Sequence, residues 1–220
     1  MRVNIYHGSK LVIEHPQSHG SNPTNDYGPA FYLTRDLNAA KSWACRKDSA
    51  GVVNRYQILT ASFHNLKKLD LTDKSLYSVL HWMAVLMHFR SLDASFRRKN
   101  QLTIDWLERY YIPVEDYDVI IGFRADDAYF RFPIRFLTND LAFEDLEQVF
   151  LSGQLGVQYA FISDRAIALL KHQEVISCEE GYLGHYHSLV SKASQQFDAL
   201  LQQPRDPNKT YILDLMRKQP

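Results

Sequence analysis

Two short segments near the N-terminus constrain this chain most, because each joins an extended run to a glycine. Tyr6-His7-Gly8-Ser9 ends a segment in which apolar and polar residues alternate, as in a half-buried strand. The second segment runs from Asp26 to Thr34, where Gly28-Pro29 enters an aromatic run that also predicts a strand. Glycine has no Cβ and admits another molecule close to the backbone, and the Ser9 hydroxyl both donates and accepts hydrogen bonds. The two segments therefore predict a binding site between two early strands.

The composition favours one domain spanning residues 1–220. The 25 basic and 25 acidic side chains give a formal net charge of zero, which gives no support for broad binding to a phosphate backbone. The two cysteines, Cys45 and Cys178, favour a reducing compartment over a disulfide framework. The N-terminus has no apolar signal region, and no apolar run reaches the roughly 18 residues that span a bilayer. We therefore expect a soluble, cytoplasmic protein with no membrane partner.

Short extended segments alternate with amphipathic helical segments along the chain, which indicates a mixed α and β fold. The sequence predicts strands at residues 2–7, 12–13, 31–34, 52–63, 69–71, 117–122, 157–162 and 175–178. It predicts helices at residues 37–47, 74–89, 103–110, 143–151, 164–170 and 185–202. The basic run 96–100 is interpreted as a solvated turn rather than a nucleic-acid contact. We interpret residues 74–112 as a helical insertion and 184–220 as a C-terminal helical extension.

The sequence does not indicate metal or nucleophile chemistry. No two histidines stand four residues apart with a third ligand, and His185 and His187 would point apart on a helix. There is no Gly-x-Ser-x-Gly elbow and no glycine-rich phosphate loop. Gly8, Gly20 and Gly28 do not form a dinucleotide fingerprint. We therefore predict neither a metal site nor a Rossmann unit.

The two opening segments resemble the ADP-ribosyltransferase superfamily, in the branch of diphtheria toxin and the poly(ADP-ribose) polymerases. That branch carries a His, Tyr, Glu triad. His7-Gly8-Ser9 is similar to its first element, and Gly28 to Thr34 is similar to its second, with Tyr32 at the triad tyrosine. The branch places a second aromatic residue eleven positions later, and Trp43 stands at that distance here.

A second resemblance extends from Tyr6 to about Lys171. The segments Tyr117 to Asp127 and Gln158 to Phe161 are similar to a bacterial family of unknown function assigned to the same superfamily. The resemblance implies an α+β fold, the ADP-ribosyltransferase-like split β-sandwich. In that fold two small, mostly antiparallel sheets pack face to face around a central NAD cleft, with helices around them.

The resemblance also implies roles for individual residues. His7, Tyr32 and Gln158 would form the catalytic set, and NAD would be the substrate. The NAD-binding residues would be His7, Gly8, Ser9, Tyr32 and Trp43. Tyr32 and Trp43 would sandwich the nicotinamide, each stack contributing about 0.5–1.5 kcal/mol beyond the buried area. Gly8 would offer its backbone to the carboxamide, Ser9 would assist there, and His7 would bond a ribose hydroxyl.

Gln158 departs from the triad, because the branch has glutamate at this position. A glutamine still accepts a hydrogen bond from the ribose 2′-hydroxyl, but it brings no charge. Charge-assisted hydrogen bonds are about twice as strong as neutral ones, and stabilisation of charge in the transition state is often the largest catalytic contribution. The alternative interpretation of Gln158 is an ordinary polar residue near a strand end.

The resulting prediction is an NAD-dependent mono-ADP-ribosyltransferase that moves ADP-ribose to a macromolecular acceptor and releases nicotinamide. The alternative is a catalytically weak or inactive module that binds NAD or ADP-ribose. Zero net charge slightly favours a protein acceptor over a nucleic acid. Asp126 and Asp127 follow a buried strand, where they either cap a helix or orient the acceptor.

Overall fold

The computed structural model describes residues 1–46, 51–125, 127–151, 156–178, 182 and 184–218. Its strands are β1 (Arg2–Ser9), β2 (Phe31–Leu33), β3 (Val52–Leu59), β4 (Lys68–Asp70), β5 (Val119–Phe123), β6 (Val157–Phe161) and β7 (Lys171–Ser177). Its helices are α1 (Leu37–Ala44), α2 (Thr60–His64), α3 (Val79–Phe89), α4 (Ala94–Lys99), α5 (Gln101–Glu108), α6 (Asp127–Leu137), α7 (Phe143–Leu151), α8 (Asp164–Ile167), α9 (His185–Leu201) and α10 (Ile212–Lys218). The fold is α+β, as the sequence predicts.

The described strands form two sheets, ordered β1-β3-β7 and β2-β6-β5-β4. Every pairing within them is antiparallel except that of β4 with β5. Two parallel strands need a long crossover connection between them. The connection from β4 to β5 contains α3 to α5, which lie in the segment predicted as a helical insertion. One apolar cluster takes buried side chains from both sheets, among them Ile5, Tyr56, Ile58, Phe31, Leu33 and Phe161. The two sheets therefore share a core.

A backbone bridge joins the two sheets at the two segments that the sequence singled out. The Tyr6 N–H donates to the Thr34 carbonyl at 2.8 Å, and the Thr34 N–H donates to the Tyr6 carbonyl at 2.9 Å. Tyr6 is in β1 of the first sheet, and Thr34 directly follows β2 of the second. The bridge therefore holds the two conspicuous sequence segments side by side, although Tyr6 and Thr34 are 28 positions apart along the chain.

The second core lies between the four-stranded sheet and the helices. Each residue of β5 is buried, which explains why this strand has a continuous apolar run rather than an alternating one. Ile120 of β5 and Ala160 of β6 belong to a cluster that also contains large side chains from the helices: Trp82, Met83, Trp106, Phe132, Phe136, Phe150 and Phe197. This cluster fixes β5 and β6, the strands that carry one wall of the cleft described below.

Several predicted elements are wrong in extent or type. Residues 12–13 are not a strand, because the Asn54 side chain satisfies this backbone instead, accepting from the Ile13 N–H at 2.8 Å and donating to the Leu11 carbonyl at 3.1 Å. The basic run 96–100 is not a turn, since its first four residues end α4. Asp93 caps that helix, and the last turn is favourable for cations.

Other boundaries move for similar local reasons. The helix predicted from residue 74 begins at Val79, after Ser78 and the His81 side chain form a capping box. The strand predicted over 52–63 stops at Leu59, which pairs with Arg2 at the start of β1, and α2 follows. The last strand begins at Lys171 rather than 175. Helix α6, for which the sequence indicated only an acidic start, continues through Pro133.

Among the described residues, no helix is both long and apolar enough to cross a bilayer.

Candidate functional site

A cleft of about 690 Å³ opens where β1, β2, α1 and β6 meet. Ligand pockets in proteins commonly have roughly 300–1,000 Å³. The cleft is lined by all six residues for which the sequence predicted a role toward NAD: His7, Gly8, Ser9, Tyr32, Trp43 and Gln158. Residues from four separate parts of the chain thus converge on one volume.

The His7 ring on β1 is held by a hydrogen bond to the backbone of Tyr32 on β2. Its Nδ1 lies 2.7 Å from the Tyr32 carbonyl oxygen, which can only accept, so Nδ1 carries the proton. The ring stacks on Phe31 with centroids 4.5 Å apart. Burial lowers the pKa of His7, against the opposing effect of the hydrogen bond to Tyr32. The neutral ring therefore keeps Nε2 as an acceptor, which suits a ligand hydroxyl.

Gly8 has a structural role that the sequence did not reveal. A Cβ at this position would overlap the Ala40 carbonyl oxygen and would lie 2.9 Å from the Ala44 nitrogen. Helix α1 therefore packs directly on the backbone of β1, which brings Trp43 to the cleft. Ser9 follows, and its hydroxyl accepts a hydrogen bond from the Leu11 N–H at 3.0 Å.

Gly8→Ala is accordingly expected to destabilise the fold as well as the site. Overpacking of this kind costs about 1–3 kcal/mol in the free energy of unfolding, which lowers the Tm by roughly 2–12 °C for a chain of this size. Gly20→Ala is the matched control, because its nearest contacts would be ordinary ones at 3.6 and 3.7 Å. Thermal unfolding of both variants measures the difference, and equal Tm values would contradict the packing argument.

Tyr32 uses its hydroxyl to close a loop. The hydroxyl donates to the Gly28 carbonyl at 2.7 Å and accepts from the Tyr27 N–H at 3.0 Å. Gly28 has φ +73°, a conformation that favours glycine in this turn. Burial raises the pKa of Tyr32, so the phenol is neutral. Since both hydrogen bonds of the hydroxyl stay within the protein, the ring is the part of Tyr32 that a ligand would contact.

Trp43 lies in the cleft with partners that the sequence did not indicate. The guanidinium carbon of Arg46 lies 4.0 Å from its ring centroid, and that of Arg124 lies 4.7 Å away. Tyr186 meets the same ring edge-on, with centroids 6.0 Å apart. The indole is therefore engaged by two cations and a phenol. An anionic group, more than a nicotinamide ring, suits this end of the cleft.

Gln158 is buried and belongs to a polar network. Its Nε2 donates to Asp26 Oδ2 at 2.8 Å and lies 3.4 Å from the Phe123 carbonyl oxygen. Asp26 also accepts from the Ala125 N–H at 3.0 Å, and its Oδ1 lies 3.4 Å from Arg90 Nε. Burial raises the pKa of Asp26, against lowering by Arg90 and by these hydrogen bonds. The Asp26 carboxylate thus lies directly beside Gln158, the neutral residue at the position where the resembled branch has a glutamate.

Sequence reasoning assigned no role in the site to several residues that line the cleft, among them Asp26, Arg46, Arg90, Arg124 and Tyr186. Asp26 directly precedes the Tyr27-Gly28 pair, so its place in the same segment was an available signal. Arg124 follows β5, and strand ends often carry site residues. Arg90 caps the C-terminus of α3, and no sequence pattern pointed from there to the cleft.

The sequence predicted that Asp126 and Asp127 either cap a helix or orient an acceptor, and the structure describes only one of the two. Asp126 lies outside the described residues, and Asp127 begins α6. Within the described ranges, no three His, Cys, Asp or Glu side chains group as metal ligands would.

Helix α9 reaches the cleft from the C-terminal extension. His185 Nδ1 lies 2.5 Å from the Ser42 hydroxyl, and the Tyr182 hydroxyl donates to Asn38 Oδ1 at 2.6 Å. Both contacts fasten the extension to α1, and they position Tyr186 against Trp43. The extension therefore contributes to the cleft rather than lying apart from it.

A sequence model of a family, described as protein of unknown function (DUF3990), matches residues 3–172. The match covers β1 to the start of β7 and includes every cleft residue named above except Tyr186. No curated protein and no solved structure matches the chain.

Proposed function

The chain belongs to the family described as protein of unknown function (DUF3990), and we propose that it is an NAD-dependent mono-ADP-ribosyltransferase. It moves ADP-ribose from NAD to a macromolecular acceptor and releases nicotinamide. The proposal includes an ADP-ribosyltransferase-like split β-sandwich, a cytoplasmic location and protein as the favoured acceptor.

The observation that carries the proposal is the convergence of His7, Tyr32 and Gln158 on one cleft. Sequence resemblance alone assigned these residues to a triad, and they come from β1, β2 and β6. The backbone bridge from Tyr6 to Thr34 and the pairing of β2 with β6 hold the three strands side by side. A shared cleft is what the resemblance requires.

The reaction balances without a further reactant. The bond between ribose C1′ and the nicotinamide nitrogen breaks, and its electron pair leaves with nicotinamide, which becomes neutral. C1′ passes through an oxocarbenium-like state and then bonds the nucleophilic atom of the acceptor, whose proton goes to solvent. In this scheme His7 Nε2 accepts from a ribose hydroxyl, the Tyr32 ring stacks on the nicotinamide, and Gln158 Oε1 accepts from the 2′-hydroxyl of the ribose whose C1′ reacts.

The charges of the cleft also support a dinucleotide. Lys10, Arg46, Arg90 and Arg124 line it, against one described carboxylate, Asp26. Arg46 and Arg124 lie on the same indole, and arginine bonds phosphate oxygens in a bidentate manner. These two residues would therefore hold the diphosphate of NAD.

The second candidate is a module that binds NAD or ADP-ribose without turnover. The neutral side chain of Gln158 favours it, because a missing charge near the reacting carbon slows cleavage more than binding. The two candidates differ in one readout, the release of nicotinamide.

His7→Ala is expected to lower nicotinamide release by the purified protein roughly 10- to 100-fold, since leaving a buried group without its partner costs about 1–3 kcal/mol. Chromatography of NAD and nicotinamide over time measures the rate. His15→Ala is the control, because His15 is exposed and does not line the cleft. Retention of full activity by His7→Ala would contradict the proposed site, and NAD binding without turnover by the unchanged protein would favour the binding module.

A further inference from the structure

The amide of Gln158 has one defined orientation. The partners of its nitrogen, Asp26 Oδ2 at 2.8 Å and the Phe123 carbonyl oxygen at 3.4 Å, are both acceptors, and the nearby Tyr27 hydroxyl already donates to the Phe123 carbonyl. The nitrogen must therefore face them, and Oε1 must face elsewhere. In the part of the chain that the structure describes, Oε1 accepts no hydrogen bond from the protein. Gln158 thus offers a fixed acceptor at the wall of the cleft.

Asp26 is placed to fix that orientation, and its partners favour the carboxylate form against the effect of burial, which raises its pKa. Its Oδ2 accepts from the Ala125 N–H and from Gln158 Nε2, and its Oδ1 lies 3.4 Å from Arg90 Nε as an ion pair. An ionised carboxylate is acceptor-only and suits two N–H donors and a cation, whereas a protonated one would present a hydrogen to one of them. The Asp26 side chain is only 14% exposed, so its charge acts in surroundings where water screens it weakly.

An ionised glutamate at position 158 would be incompatible with this arrangement. It would have no N–H for Asp26 or for the Phe123 carbonyl, and it would place a second carboxylate at hydrogen-bonding distance from the first. Like charges at such a distance cannot both ionise without a large cost. Positions 26 and 158 therefore hold one carboxylate and one amide between them, and in this chain the carboxylate is at position 26.

We propose that Asp26 is the positioning residue that replaces the missing triad glutamate, aligning Gln158 Oε1 and supplying the negative charge that stabilises the oxocarbenium-like ribose. The proposal rests on the proposed transferase function. It assigns to the pair Asp26–Gln158 the two tasks that one glutamate performs in the family the sequence resembles. The charge comes from the loop before β2, and the acceptor atom comes from β6.

The test is a charge swap. Asp26→Asn keeps an acceptor for the Ala125 N–H but removes the charge, and it is expected to lower kcat for nicotinamide release roughly 100-fold, with KM for NAD changed little. The double variant Asp26→Asn with Gln158→Glu restores one carboxylate and one amide in exchanged positions. It is expected to recover most of the lost kcat. Asp105→Asn, an exposed carboxylate on α5, is the control.

Each outcome decides a separate point. An Asp26→Asn variant with the kcat of the unchanged protein overturns the role of Asp26 and leaves the proposed function intact. A loss of kcat that the double variant does not recover shows that Asp26 only supports the fold, and it overturns the charge argument. An unchanged protein that releases no nicotinamide at all overturns the proposed function, and the role of Asp26 with it.

Discussion

Tyr32→Ala is expected to lower NAD turnover roughly 100-fold or more, because it removes a ring stack and leaves buried backbone groups unpaired. The ring lines the cleft. The hydroxyl joins the Gly28 carbonyl to the Tyr27 N–H, and so it fixes the loop that carries Asp26. Nicotinamide release and equilibrium NAD binding, measured on the same preparation, separate loss of turnover from loss of affinity.

Tyr32→Phe separates the ring from the hydroxyl. It keeps the stack but loses both hydrogen bonds, so we expect the free energy of unfolding to fall by about 1–3 kcal/mol and turnover to fall less than in Tyr32→Ala. Tyr159→Phe, on β6 and outside the cleft lining, is the control. If Tyr32→Phe is as inactive as Tyr32→Ala, the hydroxyl and not the ring carries the function, which would contradict this account.

Gln158→Glu alone is expected to destabilise the protein strongly at high pH. The new carboxylate would face Asp26, whose pKa burial already raises, and one carboxyl of the pair would keep its proton well above pH 4. A folded-state pKa above the unfolded value means that the folded protein binds more protons. Stability is therefore full below the unfolded pKa and is lost as the pH rises through the folded one.

The size of that effect follows from like-charge repulsion. An uncompensated buried charge costs roughly 3–5 kcal/mol, which at pH 8 lowers the Tm by about 6–20 °C. Near pH 4 the variant and the unchanged protein should differ little. Gln57→Glu, which bonds Asn4 rather than a carboxylate, is the control. A Gln158→Glu variant whose Tm deficit is the same at pH 4 and pH 8 would contradict the proximity of the two carboxyls.

The sequence predicted the α+β class of the fold and named six of the residues that line the cleft. His7, Tyr32 and Gln158 carry recognisable local signals, a His-Gly at a strand end, a Gly-Pro entry to an aromatic strand and a polar residue in an apolar strand. What the local signals could not give is the bridge between Tyr6 and Thr34 that brings them together. That bridge depends on how two sheets pack, which no single segment encodes.

Some site residues, and some contacts of the residues that were predicted, could not be inferred from the sequence for identifiable reasons. Asp26 sits in a loop whose composition indicates only irregular structure, and its partner Gln158 lies 132 residues away. Gly8 was interpreted as room for a ligand, but the atoms it makes room for belong to α1. Trp43 was interpreted as one half of a nicotinamide sandwich, yet Arg46 and Arg124 lie on its ring. The contacts of Asp26, Gly8 and Arg124 join distant parts of the chain, which local sequence patterns do not show.

Transfer of ADP-ribose is the central claim, and NAD labelled in its adenine ring tests it most directly. Cell lysate is incubated with the purified protein and the labelled NAD, and mass spectrometry follows the label. The account predicts one ADP-ribose unit attached to a macromolecule, with free nicotinamide released, and loss of both with His7→Ala. Label that stays in intact NAD, or that accumulates only as free ADP-ribose, would contradict it.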